Sequence, residues 1–160
     1  MPRARRTIAS APEGLLHRNS RAVETSPIRV AYQGGDRLLI GVRGHELCSD
    51  QPIDDGGEDT APTPTELFLT SLAACVAFYA ERFLRRHALS TDGLVVTCKY
   101  AFAANPTRIG DIDLNVEVPA LPPDRLEAFS RVIEHCTVHN TLRQPPEVRT
   151  HVSLAQVAAA

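Results

Sequence analysis

TPTELFLTSLAACVAFYAERFLRRH, Thr63 to His87, is the stretch on which the fold turns. Its first four residues signal a helix start in three ways: Thr63 as N-cap, Pro64 at the first helical position, and Glu66 three residues after the cap to close a capping box. Almost everything from Leu67 to Ala80 is apolar, which predicts burial on most sides, and Glu81, Arg82, Arg85 and Arg86 mark the exit into solvent. The helix should run from Pro64 to about His87, on the order of 36 Å at 1.5 Å per residue, the spine of a small domain. Thr70 and Ser71 interrupt the apolar run and Glu81 ends it, so it reads as a core helix, too short to cross a bilayer.

Working outward from this helix, Ile28 to Gln33 and Arg37 to Val42 flank Gly34-Gly35-Asp36 and read as a β-hairpin. A third short strand is expected over His45 to Cys48. SDQPIDDGGEDTA, Ser49 to Ala61, is acidic and rich in turn formers, a solvent-facing loop. Beyond the helix, Leu94 to Ala103 and Ile109 to Val118 read as an antiparallel pair. The second alternates cleanly, Ile112, Leu114, Val116 and Val118 against Asp111, Asp113, Asn115 and Glu117, which predicts one wet face. Pro122-Pro123-Asp124 opens a helix that stops near His135, with Leu126, Phe129, Val132 and Ile133 on one stripe. A short helical piece follows over Thr137 to Leu142, then a last strand from Val148 to Leu154. Strands, a long helix, strands, a helix pair and a strand make an α+β domain.

The chain's 160 residues suit one domain, read as 28–156 behind a flexible N-terminal arm of residues 1–27. With 43% hydrophobic and 22% charged residues the composition is that of a soluble globular protein. A formal charge of −2 with scattered Lys and Arg gives no footprint for nucleic acid. The start lacks the apolar segment of a secretory signal, which points to the cytoplasm. The four cysteines, Cys48, Cys75, Cys98 and Cys136, show no CxxC pairing and are expected reduced.

Cys75 lies inside the apolar helix and Cys136 at the hinge between the two later helical pieces. A thiol in apolar context is either inert packing or, where a cation lowers its pKa, a redox nucleophile with a second thiol to resolve it. Cys136 precedes a helix start, where free N–H groups favour a thiolate. Cys48 and Cys98 lie in strand-like stretches and read as packing residues. His135, Cys136 and His139, with Cys75, raise the possibility of a metal site, but no second Cys/His pair at zinc-ligand spacing exists, so no metal or other cofactor is expected. Asp54, Asp55, Glu58 and Asp59 have the wrong spacing for a calcium loop.

TPTELFLTSLAAC, Thr63 to Cys75, and CTVHNTL, Cys136 to Leu142, followed by Pro145-Pro146, resemble the OsmC/Ohr family of organic hydroperoxide reductases and their relatives. The resemblance covers Ile28 to the C-terminus. It implies an intertwined homodimer of antiparallel sheets with long helices between them and two thiol sites at the subunit interface. It further implies a peroxidase in which Cys75 attacks the hydroperoxide and becomes a sulfenic acid, Cys136 resolves it as a disulfide, and a dithiol or lipoyl protein reduces the pair. The activating cation usual in the family is an arginine from the first sheet, here Arg43 in GVRGHEL, with Arg37 and Arg82 as alternatives. The family's catalytic glutamate lies ten residues before the reactive cysteine, where this chain has Thr65. Glu66 is nine before, which at about 100° per residue sets it roughly opposite Cys75, and its capping role accounts for it without catalysis. The apolar helix face around Leu67, Phe68, Leu72, Phe78 and Tyr79 would suit a greasy substrate better than hydrogen peroxide. A dimer of this family without enzymatic activity, binding an apolar ligand or sensing oxidants through its thiols, is the alternative function.

Overall fold

The capping box at Thr63 forms as its residues dictate. The Glu66 N–H donates to the Thr63 hydroxyl at 3.2 Å, and the Glu66 carboxylate accepts from the Thr63 N–H at 2.7 Å and from the hydroxyl at 3.0 Å. From this cap helix α1 runs over Pro64–Arg86 in the computed structural model, which describes residues 26–119 and 121–154. The expected arm, 1–27, therefore lies outside the described residues save its last two, as do residues 155 and 156 of the expected domain.

Leu69, Leu72, Val76, Ala80, Phe83 and Leu84 are the buried residues of α1. They recur at three- and four-residue spacing and make one stripe, so the helix is embedded on one side rather than on most sides as its composition suggested. Phe68 and Phe78 stay 41% and 53% exposed. By length and composition alone α1 does meet the requirement for a membrane span, which corrects the argument from its shortness. Its buried stripe instead packs on the elements that follow it in the chain.

Before α1, strands β1 (Ile28–Tyr32), β2 (Leu38–Val42) and β3 (His45–Ser49) form an antiparallel sheet in that order. Gly34 and Gly35, at φ +98° and +60°, make the first turn, a backbone geometry that costs residues with a Cβ. Ile28, Val30 and Tyr32 pair with Val42, Ile40 and Leu38, and Ile40 with Leu47, which gathers apolar side chains on one face. In the single chain β1 leaves its part of that face open: Ile28, Val30 and Tyr32 are 66%, 57% and 72% exposed.

The segment after β3 is more organised than its acidic composition suggested, because Ser49 and Asp50 are buried. The Asp50 carboxylate accepts from the backbone N–H groups of Gln51, Glu58 and Thr60 at 2.8, 3.3 and 3.0 Å and from the Thr60 hydroxyl at 2.7 Å. A 3-10 turn over Ile53–Asp55 and the close approach of Gly57 to Gln51 complete the fold of the loop. A Cβ on Gly57 would stand 2.0 Å from the Gln51 carbonyl oxygen. The Thr60 hydroxyl and these N–H donors hold the Asp50 carboxyl down to about 2, against an ordinary value of 3.8. A depressed carboxyl stabilises the fold above its unfolded value and ceases to do so as pH falls through its folded one. Hydrogen-exchange protection of the Glu58 and Thr60 amides should therefore hold above about pH 4 and be lost toward about pH 2, and Asp50→Ala should remove it at neutral pH. Protection unchanged in that variant would refute the role of Asp50 as organiser of the loop.

After α1, strands β4 (Val95–Ala103) and β5 (Arg108–Glu117) pair antiparallel. The ladder shifts register between Ala101 and Phe102, leaving Gly110 without a partner as the extra residue of a bulge, and a Cβ there would meet that of Ala103 at 2.7 Å. Val96, Ile112, Leu114 and Val116 turn inward to the helices. A 3-10 turn over Pro123–Arg125 leads into α2 (Leu126–Ile133), and α3 covers Thr137–Arg143. The expected last strand, Val148 to Leu154, does not form: these residues have no ladder partner among the described residues, and Val148, Val152 and Leu154 are almost wholly exposed. Alternation suits a segment to a ladder without choosing an edge, and in the single chain this one stays unpaired although β1, β3, β4 and β5 are all sheet edges. The architecture is α+β, two antiparallel sheets and a long helix.

Candidate active site

Two free thiols meet where α1 and α3 pack. Cys75 sits in the middle of α1, one turn beyond the buried Leu72, and is half-buried. Cys136 is the N-cap of α3, has no exposed surface, and accepts a hydrogen bond from the His139 backbone N–H at 3.4 Å through its Sγ. The two side chains belong to one packed cluster, Cys75 lying against the group that Cys136 forms with Leu72 and Val76. Leu72, Val76, Tyr79, Ile133 and Val138 pack around them and give the site an apolar lining.

Burial pushes the Cys136 thiol above its ordinary value of 9.0; the His139 and Val138 N–H groups pull the other way, and Cys75, by hydrogen bond and by charge, adds to the rise. The helix start expected at Cys136 is there, but desolvation outweighs it, so the thiol keeps its proton. The pair is thus unsymmetrical: a half-buried sulfur on α1 faces a buried, protonated one on α3.

The other candidates lie elsewhere. Glu66 closes the cap of α1 and borders a groove along Leu69, Ala73 and Ala77, on the side of the helix away from Cys75. Arg43 occupies the exposed turn between β2 and β3 at φ +57°, and among the described residues no hydrogen bond or ion pair ties it to the thiols. Arg37 pairs with Glu58 at 3.5 Å, and the Arg82 guanidinium stands 5.4 Å from the centroid of the Phe78 ring. Cys48 is exposed rather than packed, whereas Cys98 is half-buried with its thiol pushed up by burial and by Asp113.

Among the described residues no three His, Cys, Asp or Glu side chains gather as a metal-holding group. The His135 ring turns back on α2, its Nδ1 2.6 Å from the Arg131 carbonyl. The His139 imidazole, pushed toward its neutral form by burial and by Arg143, lines a cavity of about 570 Å³ with Leu72, Val76, Ile112 and Leu142. One contact had no sequence signal at all. The Tyr79 hydroxyl lies 3.3 Å from the Thr137 hydroxyl, joining residues 58 apart in the chain.

The model of the family described as OsmC-like protein matches residues 56–151. A sequence comparison with curated proteins finds no match. Solved structures with a similar fold include a Psychrobacter arcticus protein named for an osmotic stress and detoxification response. It is 24% identical at a TM-score of 0.68, with 74% of this chain and 88% of that one covered. An organic hydroperoxide resistance protein OsmC from Legionella pneumophila is 22% identical at a TM-score of 0.61, covering 77% and 92%. An OsmC-like protein from Mycoplasma pneumoniae is 18% identical at a TM-score of 0.64, covering 77% and 90%.

Proposed function

From the premise that this chain belongs to the OsmC-like protein family, we propose that it is a two-cysteine thiol peroxidase that reduces organic hydroperoxides. The observation that carries the reading is the meeting of two free thiols, Cys75 half-buried and Cys136 buried with its proton retained. The Legionella relative, named for organic hydroperoxide resistance, supports the choice of substrate. In the proposed cycle the Cys75 thiolate takes the distal oxygen of the hydroperoxide, the O–O bond breaks, and the alkoxide leaves to be protonated. The resulting Cys75 sulfenic acid condenses with the Cys136 thiol: a sulfur–sulfur bond forms and water departs. A dithiol or lipoyl protein returns both thiols to the reduced state.

The reading includes a homodimer in a reducing, cytoplasmic setting. The open apolar face of β1, together with Phe68 and Phe78 on α1, is what a second copy would cover. In that assembly the turn carrying Arg43 reaches the thiol pair of the other copy and supplies a cation to Cys75.

Purified reduced protein treated with one equivalent of cumene hydroperoxide should lose two thiols per chain, yield a Cys75–Cys136 disulfide on peptide mapping, and turn over when dihydrolipoamide is added. Oxidation that is slow and stoichiometric, with no turnover, would replace the peroxidase by the second reading, a thiol sensor or apolar-ligand-binding dimer. The commitment of Glu66 to the helix cap is the observation that favours that alternative.

A further inference from the structure

The proposed chemistry requires Cys136 to be presented to Cys75, and the contacts that do this converge on three consecutive residues. Cys136 lies in the packed cluster with Leu72 and Val76; Val138 packs against the same cluster; and Thr137, between them, meets the Tyr79 hydroxyl at 3.3 Å. Tyr79 stands one helical turn beyond Cys75 on α1, and its ring belongs to the cluster that surrounds the thiols. A single side chain therefore reaches the start of α3 by hydrogen bond from within the cluster that holds both sulfurs.

α3 needs such a tie. It has seven residues, too few to be stable on its own, and its N-cap is the Cys136 sulfur itself. When Cys136 gives that sulfur to a disulfide, the cap on the His139 N–H is weakened, because the sulfur must turn toward Cys75. The Tyr79–Thr137 contact is independent of the sulfur and holds the first turn of α3 on α1 while this happens.

We infer that Tyr79 is a positioning residue for the resolving step: its hydroxyl, bonded to Thr137, keeps Cys136 in attacking reach of an oxidised Cys75. This rests on the two-cysteine reading but not on the identity of the oxidant, so it can be tested without hydroperoxide. With 5,5′-dithiobis(2-nitrobenzoate), Cys75 forms a mixed disulfide and releases one nitrothiobenzoate. Attack by Cys136 then breaks that mixed disulfide, forms Cys75–Cys136, and releases a second nitrothiobenzoate and a proton. To isolate the pair, the protein carries Cys48→Ser and Cys98→Ser.

In Tyr79→Phe, which keeps the ring, the second release should slow relative to the first by about threefold to tenfold, the range one net hydrogen bond is worth. Thr137→Ala should slow it to the same extent, and the double variant no further, because both remove one bond. Mapped Cys75–Cys136 disulfide must accompany the second release. An unchanged ratio in Tyr79→Phe, or additive slowing in the double variant, overturns the role of Tyr79 and leaves the two-cysteine reading standing. A parent protein in which Cys75 reacts but no Cys75–Cys136 disulfide follows overturns both. Disulfide closure that responds to Tyr79→Phe in a protein inert to cumene hydroperoxide supports the positioning role and removes only the peroxidase.

Discussion

Cys75→Ser is expected to lower hydroperoxide turnover by roughly a thousandfold or more while leaving the fold intact. Serine is nearly the same size, and Cys75 is only half-buried, so the exchange opens no cavity at the centre of α1. What disappears is the nucleophile: a hydroxyl at this site neither ionises near neutral pH nor accepts the hydroperoxide oxygen as sulfur does. Cys136→Ser should behave differently. The first oxidation proceeds, no disulfide follows, and the Cys75 sulfenic acid accumulates to one equivalent per chain, detectable with dimedone. Because Cys136 retains its proton by burial, the closure step of the unaltered protein should accelerate as pH is raised into the alkaline range, where more of its thiol ionises. Retained turnover in Cys75→Ser, checked by peroxide consumption with dihydrolipoamide, would mean that another group carries the chemistry.

Much of the fold was legible because its signals are local. Thr63, Pro64 and Glu66 determine the start of α1 within four residues, and Gly34-Gly35 determine the first turn, so both lie where the sequence puts them. The alternation of Ile112, Leu114 and Val116 against charged neighbours likewise predicts the inward face of β5. Non-local features were less accessible. Nothing near Asp50 announces that its carboxylate collects donors as distant as Thr60, and nothing near Tyr79 points to Thr137. The alternation over Val148 to Leu154 is a genuine strand pattern, but a pattern carries no information about which edge will pair with it. At the thiol site, the resemblance of two segments 61 residues apart brought Cys75 and Cys136 together, while the direction of the Cys136 shift required knowing how completely it is buried.

Leu84→Ala is expected to destabilise the fold by about 2–5 kcal/mol, the range for removing a fully buried leucine side chain. Leu84 has no exposed surface and packs with Ala80, Phe83 and Phe129, against Leu89, Leu94, Val116 and Val118 from the elements on either side. Two features keep the cavity from collapsing. The Phe83 and Phe129 rings are locked edge to face at 5.4 Å, and the Leu84 carbonyl fixes the end of α1 by accepting from the His87 and Leu89 N–H groups at 3.1 and 2.9 Å. The backbone around the missing side chain is therefore held in place, and the transfer and cavity costs add. Urea titration followed by circular dichroism should move the midpoint with little change in slope. The loss should be the same at low and high protein concentration, because every partner of Leu84 belongs to its own chain. Phe78 on the same helix provides the contrast. It is 53% exposed in the single chain, so a loss in Phe78→Ala arising from a covering second copy should come through weakened association and grow on dilution. A Leu84→Ala loss below about 1 kcal/mol would mean that the end of α1 is not a close-packed core.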